Sequence, residues 1–166
     1  TAFTFWAILK WEHVAHKPYA DKWLVLIAYV TGLSVGVHLL NLLAIPAIAI
    51  VYYFKRYKVT TMGTFIAFVL GCVALGIVQI VLLQGLPILA SKFDLLFVNS
   101  FGLPFDSGAI TFIVLLTAAL VWAIIYAKKK GNYLLHTGML CLTFVIIGFM
   151  SYLAPIIRSR ADVPID

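Results

Sequence analysis

Acidic residues are few in this sequence. Six Asp and Glu stand against twelve Lys and Arg in 166 residues, and charged side chains of both signs make up only 11% of the chain. A soluble domain carries about 25% charged and roughly 45–50% apolar residues. Here hydrophobic residues reach 64%. No soluble fold of this length hides that much apolar surface, so composition excludes a water-soluble globular protein and makes the bilayer the solvent. Cysteine is nearly absent as well. Cys72 and Cys141 both lie inside apolar runs, without CxxC or other ligand spacing. They read as small packing residues, not as a disulfide or a metal centre. There is no P-loop, no G-x-S-x-G, no H-E-x-x-H and no paired acidic motif. Charge is also missing from the interior of the apolar runs, which argues against a proton-coupled transporter or ion pump. No soluble domain, low-complexity tract or internal repeat is visible. The chain opens on Thr1-Ala-Phe-Thr-Phe-Trp6 with no initiator Met and no signal-peptide n-region, and stops soon after a polar stretch begins. That is the expectation for an internal piece of a larger protein.

What the chain does contain is a series of apolar runs punctuated by basic clusters. Residues 1–11 are apolar and aromatic, too few for the roughly 20 helical residues that cross a hydrocarbon core. They read as the last turns of a partial span. A polar loop broken by Pro18 follows. The apolar stretch 23–54 exceeds the roughly 17–25 residues of one span, so two short helices are expected, about 22–38 and 41–54, with the break near His38 to Asn41. Pro46 weakens continuation of the first. Gly32-Leu-Ser-Val-Gly36 offers a small-xxx-small face for close helix packing. Further spans are expected over 62–84, 108–127 and 133–154. Ala67, Gly71 and Gly76 supply small contacts in the first of these, and Gln79 an interhelical hydrogen bond. Between Leu86-Pro87 and Gly102-Leu-Pro104, apolar Ile88, Leu89, Phe93, Leu96, Phe97 and Phe101 alternate with polar Ser91, Lys92, Asp94, Asn99 and Ser100. Helical spacing gathers most of the apolar residues on one side, as in an interfacial or re-entrant helix over 86–107. Twenty structureless residues there would be unusual.

The cations set a topology. Nine of the twelve Lys and Arg fall in or beside the gaps 11–22, 55–61 and 128–132, and the opposite side holds only Lys92, Arg158 and Arg160. By the positive-inside rule those gaps are cytoplasmic, and the 86–107 segment and the 155–166 tail are periplasmic. The net charge of +6 therefore belongs beside anionic lipid. With no basic stripe of interleaved exposed aromatics, nucleic acid is not an expected partner.

Several residues could carry chemistry on the outer side. His38 and Asn41 at the helix break could hydrogen-bond a substrate or a phosphate, or else satisfy backbone groups at the junction. Asp94 and Asp106 could serve as a general base or as metal ligands, or be solvated loop carboxylates. Asp106-Ser-Gly also reads as an N-cap for the following helix. Arg158 and Arg160 could grip a phosphate or touch headgroups. His13 and His16, beside Glu12, have a spacing that suits a metal on a helix, but they sit on a loop without further ligands. His136 reads as an interfacial residue at the start of a span. No metal site is expected.

The run Trp23 to Pro46, containing Gly32-Leu-Ser-Val-Gly-Val-His38-Leu-Leu-Asn41, resembles a helix pair from a large family of Bacteroidetes multi-spanning membrane proteins long of unknown function. That family is distantly related to protein O-mannosyltransferases and other GT-C glycosyltransferases. Leu95-Leu-Phe-Val-Asn99-Ser-Phe-Gly-Leu-Pro-Phe-Asp-Ser-Gly108 and Ile157-Arg-Ser-Arg160-Ala-Asp-Val-Pro-Ile-Asp166 carry the resemblance further. It implies an all-α, polytopic, GT-C-like transmembrane bundle with an outer-face interfacial helix, in a bacterial inner membrane. It also implies transfer of a sugar from a polyprenyl-phosphate donor to a protein or glycan acceptor outside the cytoplasm. On this reading membrane lipid, the lipid-linked sugar and the acceptor are the partners. No cofactor is identified, and a divalent metal is neither implied nor excluded. The catalytic acid is expected upstream of Thr1, and His38, Asn41, Asn99, Arg158 and Arg160 are the candidate substrate contacts. A transporter or flippase core, or a non-catalytic membrane scaffold, are the alternatives the residues leave open.

Overall fold

The computed structural model describes residues 2–35 and 39–151. Among the described residues all regular structure is helical. Lipid dictates this, since it offers no partner for a backbone N–H or C=O and each segment must satisfy its own. The helices are α1 (Ala2–Val14), α2 (Lys22–Val35), α3 (Ala44–Arg56), α4 (Thr61–Ile77), α5 (Leu86–Phe101), α6 (Ser107–Lys129) and α7 (Tyr133–Met150). A 3-10 turn, Leu39–Leu43, precedes α3, and a π-helical segment, Val78–Gly85, joins α4 to α5.

Among the described residues three helical runs are long and apolar enough to cross a membrane: Thr61–Phe101, Ser107–Lys129 and Tyr133–Met150. Only 6% of the most apolar stretch of α6 is buried within the protein. A helix whose leucines and isoleucines face outward all round needs an apolar surround, so this is a membrane protein. The expected spans 62–84, 108–127 and 133–154 each coincide with helix, although residues 152–154 lie outside the described set.

The chain divides into two compact units, Thr1–Leu75 with Leu140–Asp166, and Gly76–Met139. In the first, α1, α2 and α3 pack around Ala7, Ile8, Ile27 and Ala44, and around Trp11, Ala15, Ala20 and Leu24. Trp11 is fully buried and stacks on Tyr52 of α3 with ring centroids 5.6 Å apart. Glycine sets the closest helix approaches. A Cβ on Gly32 of α2 would run into the Val145 carbonyl of α7, and one on Gly148 of α7 would meet the α2 backbone at Tyr29 and Leu33. The expected small face on α2 is thus used at Gly32, whereas Gly36 lies outside the described residues. Gly71 of α4 faces Pro46 and Ala49 of α3, where an added Cβ would stand 2.7 Å from the Pro46 Cα. A Cβ added at Gly76 would meet nothing within 4 Å among the described residues, so no close helix approach is seen there, which corrects the expectation for that residue. Pro46 sits in the first turn of α3, where no intrahelical N–H is needed.

The helix does not stop at Leu86-Pro87, where the sequence suggests a boundary. Helical structure is continuous from Thr61 to Phe101. The Leu86 N–H bonds the Val81 carbonyl, five residues back. That wider register precedes a proline whose ring would collide with the i−4 carbonyl of a regular α-helix, and so offers a way through. In the second unit α5 ends at Gly102, in the left-handed region at φ 64°. Its N–H bonds Val98 O at 3.1 Å, and the Leu103 N–H bonds Phe97 O at 3.3 Å. This is the helix-ending pattern that glycine allows at least steric cost. The chain turns back, and α6 packs on α5 through Phe93 and Phe112, with ring centroids 5.4 Å apart.

Candidate functional site

Asn41 is the candidate residue whose surroundings are best defined. It lies on the 3-10 turn and is 1% exposed. Its side-chain amide donates to Ser34 Oγ on α2. The Thr4 hydroxyl of α1 stands 3.4 Å from both amide atoms, close enough to donate to Oδ1 or to accept from Nδ2. Ser34 in turn donates to the Thr31 carbonyl at 3.0 Å. Thr4 and Thr31 are buried. A buried amide costs free energy unless its groups are paired, and here the partners come from two different helices. Asn41 therefore ties α1, α2 and the turn together. The sequence offers a ligand contact or the satisfaction of backbone groups at the junction; the contacts of the Asn41 side chain are instead with the side-chain hydroxyls of Thr4 and Ser34. The neutral amide offers no acid or base.

A second polar cluster closes the other end of the same three helices. Lys55 Nζ donates to Glu12 Oε1 at 2.5 Å, and Arg56 Nη2 to Asp21 Oδ1 at 3.2 Å. His13 Nδ1 lies 3.4 Å from Glu12 and 2.9 Å from the Leu9 carbonyl. The hydrogen bond and charge of Lys55 hold the Glu12 carboxyl below its ordinary range. The 11–22 and 55–61 gaps thus meet at one end of the first unit. No group of three or more His, Cys, Asp or Glu that could hold a metal is found among the described residues.

In the second unit Asn99 is exposed on α5. Asp94, one turn earlier, is engaged. Its Oδ1 accepts from Gly108 N at 3.1 Å and Ala109 N at 3.4 Å. These are orphan donors at the start of α6, and a carboxylate there satisfies them and opposes the helix dipole. The expectation that Asp106 caps α6 is corrected: Asp106 occupies the cap position at φ 71° but makes no side-chain cap bond. Gly108 makes the arrangement possible, since a Cβ there would strike the Phe93 and Asp94 backbone.

His38, Arg158 and Arg160 lie outside the described residues. Asn41 and Asn99 fall in different units. Of the four acids among the described residues, Glu12, Asp21 and Asp94 are each bound to a partner. Sequence reasoning did not single out Thr4, Thr31 or Ser34. The available signal was a run of small hydroxyls, Thr31 and Ser34, one turn before an expected break.

Residues 1–61 match the family model described as the protein O-mannosyl-transferase TMEM260 N-terminal domain. The matched stretch ends where α3 has closed on α1 and α2 and α4 begins. No curated protein and no solved structure matches the chain. In its first 61 residues the chain is similar to a protein O-mannosyltransferase domain, which supports a relation to that class of enzyme.

Proposed function

We propose that the chain is part of a membrane glycosyltransferase of the GT-C type. It moves a sugar from a polyprenyl-phosphate donor to a hydroxyl of a protein or glycan outside the cytoplasm. The observation that carries this reading is the match of residues 1–61 to the protein O-mannosyltransferase domain. That stretch is also the one tied at both ends by the Asn41 and Glu12–Lys55 contacts. The proposed setting is a bacterial cytoplasmic membrane, with the 11–22, 55–61 and 128–132 gaps inside and 86–107 and 155–166 outside.

Helix lengths support a site within reach of a lipid-borne donor. From Lys22 to Ser34, α2 rises about 18 Å, against a hydrocarbon core of about 30 Å. With Lys22 at the cytoplasmic interface, the Thr4–Asn41–Ser34 contacts lie within the membrane. A broken helix is tolerated at that depth only where protein or a cavity covers it. In this reading Asn41 positions the break and does not touch the sugar. His38, Asn99, Arg158 and Arg160 remain the proposed substrate contacts, the arginines offsetting phosphate charge as the carrier leaves.

The test is mannose transfer from a polyprenyl-phosphate donor to an acceptor peptide by the full protein in proteoliposomes. Transfer that falls on Arg158→Ala and His38→Ala supports the reading. Movement of the lipid-linked sugar across the bilayer without transfer would replace it with the flippase alternative.

A further inference from the structure

The exposed side of α5 combines features that neither water nor hydrocarbon alone explains. Phe93, Asp94 and Phe97 turn toward α6 or pack among themselves. Lys92 and Asn99 are exposed, seven residues apart, and so on one face about 10 Å from each other along the axis. Neither makes a hydrogen bond or ion pair with any described residue. Around them stand Ile88, Leu95 and Leu96, which are 53%, 54% and 51% exposed. A helix facing water would not place three large aliphatic residues around its cation. A helix facing only hydrocarbon would not carry a lysine at the centre of that face, where a charge costs several kcal/mol unless it reaches a counter-charge.

Depth is fixed within the same unit. Asp94 holds the first N–H groups of α6, and α6 is a 23-residue apolar helix with its lysines at the far end. That is about 35 Å of helix, enough to cross the core once. Its start, and with it the middle of α5, therefore belongs at the membrane surface opposite Lys128 and Lys129. At that level an anionic lipid presents a phosphate above acyl chains.

We propose that the Lys92–Asn99 face of α5 seats an anionic phospholipid. Lys92 holds the phosphate, Asn99, about 10 Å further along the axis, meets the headgroup beyond it, and Ile88, Leu95 and Leu96 flank the lipid with apolar surface. The pairing is one of charge and polarity: a cation for the phosphate and an amide for the headgroup, neither with a partner among the described residues, and aliphatic flanks for the chains. Asp94, the nearest anion in sequence, is turned away to α6 and does not neutralise the site. The inference rests on the α5 face and not on the transferase reading. It competes with the proposed substrate role of Asn99, and the polyprenyl phosphate arm of the test decides between the two.

The test places a benzoylphenylalanine photocrosslinker at Leu96 in the full chain, in phosphatidylcholine vesicles doped with phosphatidylglycerol. The expected adduct is enriched in phosphatidylglycerol. One lysine near a surface phosphate corresponds to about a fivefold preference, so enrichment should fall about fivefold in Lys92→Gln and persist in Lys92→Arg. An adduct without enrichment, or enrichment unchanged in Lys92→Gln, overturns the proposal. So does a dominant protein adduct, which would mean that another polypeptide covers the face. Added polyprenyl phosphate that displaces phosphatidylglycerol from the adduct also overturns it, and assigns the face to the donor instead.

Discussion

Asp94 separates a structural reading from a catalytic one. On sequence it is a carboxylate in an outer segment, a natural candidate for a general base. In the fold its Oδ1 takes the Gly108 and Ala109 N–H groups. Replacing Asp94 with Ala leaves two donors of α6 without that acceptor. Loss of a cap costs about 0.5–2 kcal/mol, and loss of a charge at a helix N-terminus a further 0.3–1 kcal/mol or so. We expect Asp94→Ala to destabilise the second unit by about 2 kcal/mol. Asp94→Asn keeps an acceptor oxygen and loses only the charge, so about 0.5–1 kcal/mol is expected. Reversible unfolding of the full protein in mixed micelles measures both, with the exposed Ser91→Ala as the control. Activity supplies a second readout. Removing a general base lowers a rate by roughly 10²–10⁴-fold, whereas a cap variant that folds keeps most of its rate. If Asp94→Asn and Asp94→Ala are as stable as Ser91→Ala, or if Asp94→Asn is stable but inactive, the capping argument fails.

Three further outcomes are expected. Gly148→Ala and Gly32→Ala drive a Cβ into the backbone of the facing helix and should each lower stability by about 1–3 kcal/mol. Gly76→Ala, with open space around it, should be neutral or slightly stabilising, and thermal melts of the three variants decide the point. Asn41→Leu leaves the Thr4 and Ser34 hydroxyls without their amide, a loss of about 1–3 kcal/mol; Asn41→Asp should be worse in the same denaturation assay, because it places a charge at a buried position. The Glu12–Lys55 pair should be visible in pH dependence. Lys55 lowers the Glu12 pKa in the fold below its reference of 4.5, so the stabilisation is complete above the unfolded value and is lost as pH falls through the lower folded one. Glu12→Gln should flatten the stability profile across that acid window; an unchanged slope would show that the pair contributes nothing.

The helices were legible because each apolar run is interrupted by charge or by length. The break near Asn41 could be placed because about 32 apolar residues exceed one span. What could not be read were contacts between distant residues. Thr4 and Asn41 are 37 positions apart, and Glu12 and Lys55 are 43 apart. A threonine in an apolar run reads as a small packing residue until a buried amide arrives beside it. The local rules misled where a neighbour in space overrode them. Asp106 has the capping pattern in sequence, but Asp94, carried back by the Gly102 turn, reaches the α6 N–H groups instead. Pro87 has the look of a boundary, but the π register before it lets the helix pass. Lys55 and Arg56 read in sequence only as a basic cluster, and their holding of Glu12 and Asp21 explains why two acids occur near the first polar gap at all. In a chain so poor in acid, an acidic residue is a sign of tertiary contact. Three of the four described acids bind a group from another segment, so the scarcity that excludes a soluble fold also marks where the membrane fold is held together.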